Sequence, residues 1–353
     1  MRGNYYMESM DFKPLEGKSL NYHNPEYKRR IEHIKEIIVR HPQYQEIYEE
    51  LEEVHLTSIG SVLASQLNIS GRTGAGKTTI VEQYVAQHPR RFTDTGTVIP
   101  VVYVKVPPRL KTPKALASKI LGVMGDVFAN SGTDEEMGRR IIKIVRDCQT
   151  EMIILDEFQH LIDRDTQNVL ATASDWLKIL TEELNIPVIL CGLPESDNIF
   201  DYNEQIDGRY PRRIVVEPFG FEDQFQQKTF RIFLKKLDDE LPFAEFSKLS
   251  DPILASKIHY ATDGVPRYIK DLLIEATKRS LKRGLDFIDE ESLHDAFHRL
   301  TRSTQRYAVN PFGDTKFDYF KAMEVKIKQE KAFIDSKKQE KRKGTKSTKK
   351  KLY

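Results

Sequence analysis

The octapeptide Gly71-Arg72-Thr73-Gly74-Ala75-Gly76-Lys77-Thr78 fits the pattern G-x-x-x-x-G-K-[ST] at every position. Such a loop works only between a strand and a helix whose N-terminus faces the same anion, so it constrains the fold around it. Gln66–Ser70 reads as that strand and Thr78–Gln87 as that helix. The glycines let backbone N–H groups surround phosphates. Lys77 reaches the β- and γ-phosphates, and the Thr78 hydroxyl ligates Mg²⁺. Gly71 to Thr79 are therefore the candidate nucleotide-binding residues. A glycine-rich turn matching by chance is the alternative, and the flanking strand and helix argue against it.

A second segment fits the first. Met152-Ile153-Ile154-Leu155-Asp156-Glu157 is a buried strand that ends in two adjacent carboxylates. In open α/β sheets ligands bind at that end of a strand. Asp156 suits the magnesium shell, and Glu157 suits the orientation and polarisation of an attacking water. Phosphoryl transfer also needs positive charge at the γ-phosphate. Arg209, in Gly208-Arg209-Tyr210-Pro211-Arg212-Arg213, is a candidate finger for a neighbouring subunit's nucleotide. Spacing alone favours a solvent arginine in a basic loop. Arg267 opens a helix after Gly264-Val265-Pro266 and is a candidate sensor of the phosphates, or a surface arginine beside a helix cap.

Around these motifs strands and helices alternate. Val98–Val106, Met152–Asp156, Pro187–Cys191 and Ile214–Glu217 read as strands. Lys114–Phe128, Glu135–Cys148 and Asn168–Leu184 read as helices. Alternation of this kind predicts an α/β fold, a parallel sheet between helices. From Pro25 to Val54 the pattern is helical, with Ile31, Ile34, Ile37 and Ile38 on one face and a break at His41-Pro42. After Phe219-Gly220 only helices are expected: Gln224–Leu237, Pro252–Ala261, Arg267–Lys282 and Glu290–Arg302. The expected division is an arm over 1–24, a nucleotide-binding domain over 25–220, a small all-α lid over 221–303, and a linker with a basic tail over 304–353.

Charge separates the tail from the body. Residues 321–353 hold 13 lysines and arginines against 4 acids, and the remainder 42 against 49. Basic tails meet polyanions or acidic partners, although Lys337–Lys351 is expected to be a solvated, disordered end. In the tail, Phe317, Phe320, Met323, Ile327 and Ile334 share a broad apolar stripe at helical spacing. This stripe either docks on the α domain or engages a partner. With 39% hydrophobic and 31% charged residues the chain reads as globular. No apolar run approaches a membrane span, and the N-terminus lacks a signal-peptide core. Two cysteines make no disulfide framework, so a cytoplasmic setting is expected.

Together these elements resemble the AAA+ P-loop ATPases, and more narrowly the TnsC/TniB transposition regulators. The stretches that carry the narrower resemblance are Asp156-Glu157-Phe158-Gln159-His160-Leu161, Gly192-Leu193-Pro194, and Ala261-Thr262-Asp263-Gly264 running into Ser280-Leu281-Lys282-Arg283-Gly284-Leu285. The resemblance spans roughly Glu26 to Arg302. It implies an ATP- and Mg²⁺-dependent ring or helical homo-oligomer on double-stranded DNA that links a target-selection protein to a transposase. Members of this group are also found in CRISPR-associated transposons. It makes Arg209 the finger and Arg267 the second sensor. It also places Lys114, in Thr112-Pro113-Lys114, and Thr133, in Ser131-Gly132-Thr133, among residues that touch DNA phosphates. The rival readings are a solvated lysine and a helix N-cap, since Thr133 precedes Asp134-Glu135-Glu136. One departure stands out. AAA+ proteins commonly carry a polar first sensor at the end of the fourth strand, whereas Cys191-Gly192-Leu193-Pro194 offers no Asn or Thr, and Ser196 is a weak substitute.

Two other functions stay open at this point. An origin-recognition or helicase-loader ATPase is expected to add a dedicated DNA-binding domain, for which residues 304–353 are too short and lysine-rich. A nucleotide-dependent scaffold with negligible turnover is disfavoured by the Asp156-Glu157 pair and mildly favoured by the missing sensor.

Overall fold

Asn24 and Pro25 start the first helix. The Asn24 side chain accepts a hydrogen bond from Glu26 N at 2.8 Å, and proline fits the first turn because its missing N–H has no partner there. The structure is a computed structural model that describes residues 12–94, 96–108, 112–162, 167–300 and 308–349. These fall into two units, one within Arg40–Glu217 and one formed from Met1–Val39 with Pro218–Tyr353. Helix α1 (Pro25–Glu36) belongs to the second.

The Arg40–Glu217 unit begins with α2 (Pro42–Ser58), β1 (Leu67–Gly71) and α3 (Lys77–Ala86). A small antiparallel pair follows, β2 (Arg91–Thr93) and β3 (Gly96–Val98), then β4 (Val101–Lys105), α4 (Pro113–Met124) and α5 (Asp134–Asp147). Next come β5 (Met152–Asp156), α6 (Gln159–Ile162), α7 (Gln167–Leu184) and β6 (Val188–Gly192). A 3₁₀ turn (Pro194–Asp197), α8 (Asn198–Tyr202), α9 (Glu204–Arg209) and β7 (Arg212–Val216) complete it. The five long strands form one parallel sheet in the order β4-β5-β6-β1-β7. Side chains alternate across it. Ile153 and Leu155 enter a core with Leu116 and Ile120 of α4, Ile141 of α5 and Leu177 of α7. Met152 and Ile154 enter the opposite core with Ile47 and Leu51 of α2 and Ile80 and Tyr84 of α3. Both faces are covered, as the continuous apolar runs of β5 and β6 require.

Some boundaries differ from expectation. The strand expected over Val98–Val106 is split, because Pro100 offers no N–H to a ladder and restrains the residue before it. Its carbonyl instead accepts from Glu151 N and Met152 N. Helix α4 stops at Met124 and not at Phe128, since Gly125 at φ +96° caps it in the left-handed region.

The second unit consists of α1, α10 (Gln224–Asp239), α11 (Pro252–Thr262), α12 (Pro266–Arg283), α13 (Glu290–Arg299) and α14 (Tyr319–Lys349). Its core joins Phe230, Leu234, Ile258, Ile269 and Leu273 with Ile34 and Ile37. Residues 25–39, expected with the nucleotide-binding domain, therefore lie with the helices. Ile31, Ile34 and Ile37 are buried there, whereas Ile38 is exposed. The described part of the arm, residues 12–24, is fastened as well. Leu15 N donates to the Asp286 carboxylate at 2.8 Å and Leu20 N to Leu281 O at 2.8 Å.

The tail docks on the same unit through only part of the expected stripe: Phe317 packs on the Tyr260 ring and Met323 is half-buried. Phe320 is 60% exposed and Ile327 43%, while Lys326 is 2% exposed. The Lys326 ammonium pairs with Asp263 and lies over the Tyr260 ring. Tyr319 packs on Phe221 and gives its hydroxyl hydrogen to His259 Nδ1, while His259 Nε2 donates to Phe219 O. Burial lowers His259 to about 4, so the ring is neutral in this role. The side chain of Ile334 lies outside the described residues. Over residues 337–349 the expected disorder is also not what is seen: α14 continues to Lys349, through residues that are mostly good helix formers, and residues 350 and 351 lie outside the described residues.

The buried pair makes a stability prediction. Asp263→Ala takes the acidic partner from a buried ammonium and should lower stability by about 3 kcal/mol. Lys326→Met, which keeps the length and removes the charge, should cost much less. Equal losses in denaturant titrations of the two variants would show that charge burial is not the cause.

Candidate nucleotide site

The phosphate loop leaves the sheet at Gly71. A Cβ there would stand 2.5 Å from Val216 O of the neighbouring strand, so only glycine fits. At Gly76 the reason is conformational. Nothing lies within 4 Å of a Cβ, but φ is +107°. Gly74 is likewise left-handed at +86°. Gly76 is also the N-cap of α3 and brings no side chain to its first-turn N–H groups. These N–H groups and the helix dipole make an anion cradle. Lys77 Nζ donates to Gly71 O at 2.5 Å and Arg72 O at 3.1 Å, which holds the ammonium inside the loop. Ala75 is buried beneath the loop; Arg72, Thr73 and Thr79 are exposed.

Asp156, 1% exposed, faces this loop from the end of β5. Its Oδ2 accepts from Thr78 Oγ1 at 2.9 Å and from the Tyr103 hydroxyl at 2.8 Å, and its Oδ1 from Glu157 N at 2.9 Å. Burial, then the Asp156 charge, pushes the Tyr103 phenol far above its ordinary value, so it stays a donor. Sequence reasoning missed Tyr103. Its only signal was a hydroxyl-bearing ring inside an aliphatic strand that pairs with β5. A hydroxyl and a carboxylate side by side are hard oxygen donors that fit magnesium, which is held by few protein ligands and by substrate phosphates. Among the described residues no group of three or more His, Cys, Asp or Glu could hold a metal. Any magnesium here would rest on Thr78, Asp156 and the phosphates.

Glu157 follows at φ +57°, a left-handed conformation unusual for a side-chain-bearing residue. Its carboxylate accepts from Gln159 Nε2 at 2.5 Å. Ser196, the weak sensor candidate, spends its hydroxyl hydrogen on Leu193 O at 2.5 Å.

Arg209 sits at the other end of the sheet. It closes α9, three residues before Arg212, which is paired with Leu67 at the start of β1, whereas Gly71 is paired with Val216. Four strand steps separate these ends by about 13 Å. Arg209 therefore lies away from its own chain's phosphate loop, and it is ion-paired with Glu182. Arg267 lies in the helical unit, exposed in the first turn of α12.

Lys114 is exposed in the first turn of α4, which Thr112 caps through Ala115 N at 3.2 Å. Thr133 is the N-cap of α5. Its hydroxyl accepts from Glu136 N, and the Glu136 carboxylate accepts from Thr133 N. Asp134, Glu135 and Glu136 crowd that first turn, which disfavours an anion there.

The family model described as "Bacterial TniB protein" matches residues 30–218, more than half of the chain. Curated proteins give no match. Among solved structures, the ORC1 protein of Aeropyrum pernix in complex with DNA is 18% identical at a TM-score of 0.54, covering 78% of this chain and 70% of that one. The ORC2 protein of the same organism, with ADPNP and ADP, is 16% identical at 0.56, covering 78% and 73%. Cdc6p of Pyrobaculum aerophilum is 16% identical at 0.56, covering 75% and 69%. At such identities the likeness is one of fold. No helix among the described residues is long and apolar enough to cross a membrane. With its match over residues 30–218, the chain belongs to the TniB family.

Proposed function

We propose that this protein is an ATPase of DNA transposition, which binds ATP with Mg²⁺, assembles as a ring or helix on double-stranded DNA, and links a target selector to the transposase. The observation that carries the ATPase reading is the meeting of Thr78 and Asp156, which puts the phosphate loop and the Asp156-Glu157 pair at one end of the sheet. Lys77 and the α3 N-terminus hold the phosphates, and Thr78 and Asp156 hold magnesium, which when bound neutralises charge on the phosphates. Glu157 orients and polarises the attacking water.

Assembly is supported by the place of Arg209. An arginine at the far edge of the sheet serves a neighbouring subunit's γ-phosphate in a head-to-tail stack, and such stacking gives rings or open helices. Arg267 acts as the second sensor in this reading. On DNA, Lys114 contacts backbone phosphates, which positions the protein without reading sequence. Thr133 is the weaker contact of the two, since it already caps α5.

The experiment measures ATP turnover with and without duplex DNA, then mixes Arg209→Ala with Lys77→Ala protein. Each variant alone should be inactive. Mixed interfaces that pair an intact loop with an intact arginine should restore part of the turnover. Co-assembly with no restored turnover would count against a finger at Arg209.

A further inference from the structure

Gln159 is 5% exposed, and a buried amide must place both of its ends. Its Nε2 donates to Glu157 Oε2 at 2.5 Å, and its Oε1 accepts from Leu193 N at 3.1 Å. The reverse amide orientation would set oxygen against a carboxylate and nitrogen against an N–H, so the two partners decide it. Leu193 is the residue that follows β6. A second bond, Phe158 N to Cys191 O at 2.9 Å, fastens the same turn to the same strand end. Space for the amide depends on Gly192. A Cβ there would stand 3.1 Å from Gln159 Oε1 and 2.6 Å from Ser196 Oγ. The left-handed backbone of Glu157, costly for a residue with a side chain, delivers its carboxylate to this amide.

We infer that Gln159 is the positioning residue of the site: it holds the Glu157 carboxylate and supplies, from the turn after β5, the polar group that the end of β6 lacks. This rests on the ATPase reading and adds to it. A shift at the end of β6 moves the Leu193 amide, and through Gln159 it moves Glu157.

The test uses the full-length protein with duplex DNA. Gln159→Met keeps length and volume and removes both bonds. A misplaced water-orienting group costs about tenfold to a hundredfold in rate, so kcat should fall by that much. ATP affinity, measured by equilibrium binding, should stay within about threefold, because phosphate contacts are untouched. Gln159 acts through Glu157, so in a Glu157→Gln background Gln159→Met should change the single-turnover rate by less than about twofold. An unchanged kcat would overturn the inference and leave the ATPase reading standing. So would an equal loss in both backgrounds, or a loss of affinity together with melting temperature, since either makes Gln159 merely structural. Absence of turnover in the parental protein, or parental turnover in Glu157→Gln, would overturn the ATPase reading and this inference with it.

Discussion

Glu157→Gln is expected to bind ATP with near-parental affinity and to hydrolyse it at least a hundredfold more slowly. The amide has the shape of the carboxylate, so the turn keeps its form. It has no charge with which to polarise water, and general-base assistance is worth about 10²–10⁴ in rate. Asp156 keeps its bonds from Thr78, Tyr103 and the backbone of residue 157, so the residues proposed to hold the metal stay in place. With binding intact and turnover blocked, ATP-dependent complexes on DNA should outlast those of the parental protein. Single-turnover hydrolysis and dissociation of the DNA complex after ATP dilution measure the two halves of this expectation. Parental hydrolysis would remove Glu157 from its role.

Lys77→Ala is expected to abolish nucleotide-dependent assembly altogether. The ammonium is the only side-chain cation that the described residues bring inside the loop, where it is held by Gly71 O and Arg72 O. A charge-assisted hydrogen bond contributes about 1.5–3 kcal/mol. Loss of two such bonds to phosphate weakens binding by roughly a hundredfold to ten-thousandfold. Equilibrium binding of ATP and sedimentation with DNA should fall together. Assembly that survives without measurable ATP binding would separate the oligomer from the nucleotide.

The parts of this site that lie in one stretch of chain were legible in the sequence. Gly71–Thr78 and Asp156-Glu157 each carry their chemistry in consecutive residues, and strand periodicity put both at strand ends. The parts that depend on strand order were not. Tyr103 reaches Asp156 only because β4 pairs with β5, in a register that sets Lys105 opposite Asp156. Gln159 reaches Leu193 only because β6 lies beside β5. The remote position of Arg209 follows from β7 pairing with β1, which neither strand's composition announces. Periodicity also misled. Phe320 and Ile327 share the expected stripe of α14, yet the buried face centres on Lys326. A pattern count sends lysine to water, and only the specific ion pair with Asp263 reverses it. In the same way α1 has a buried face wherever it docks, so its pattern could not choose between the sheet and the helices.

ATP is expected to drive assembly of this chain on duplex DNA. Electron microscopy of the full-length protein with duplex DNA, with and without a slowly hydrolysed ATP analogue, tests it most directly. Rings or helices are expected on the DNA when the analogue is present, with Arg209 of each subunit beside the next subunit's phosphate loop, and no such assemblies when it is omitted. Protein that binds the analogue yet stays monomeric on DNA, or that assembles equally well without nucleotide, would contradict it.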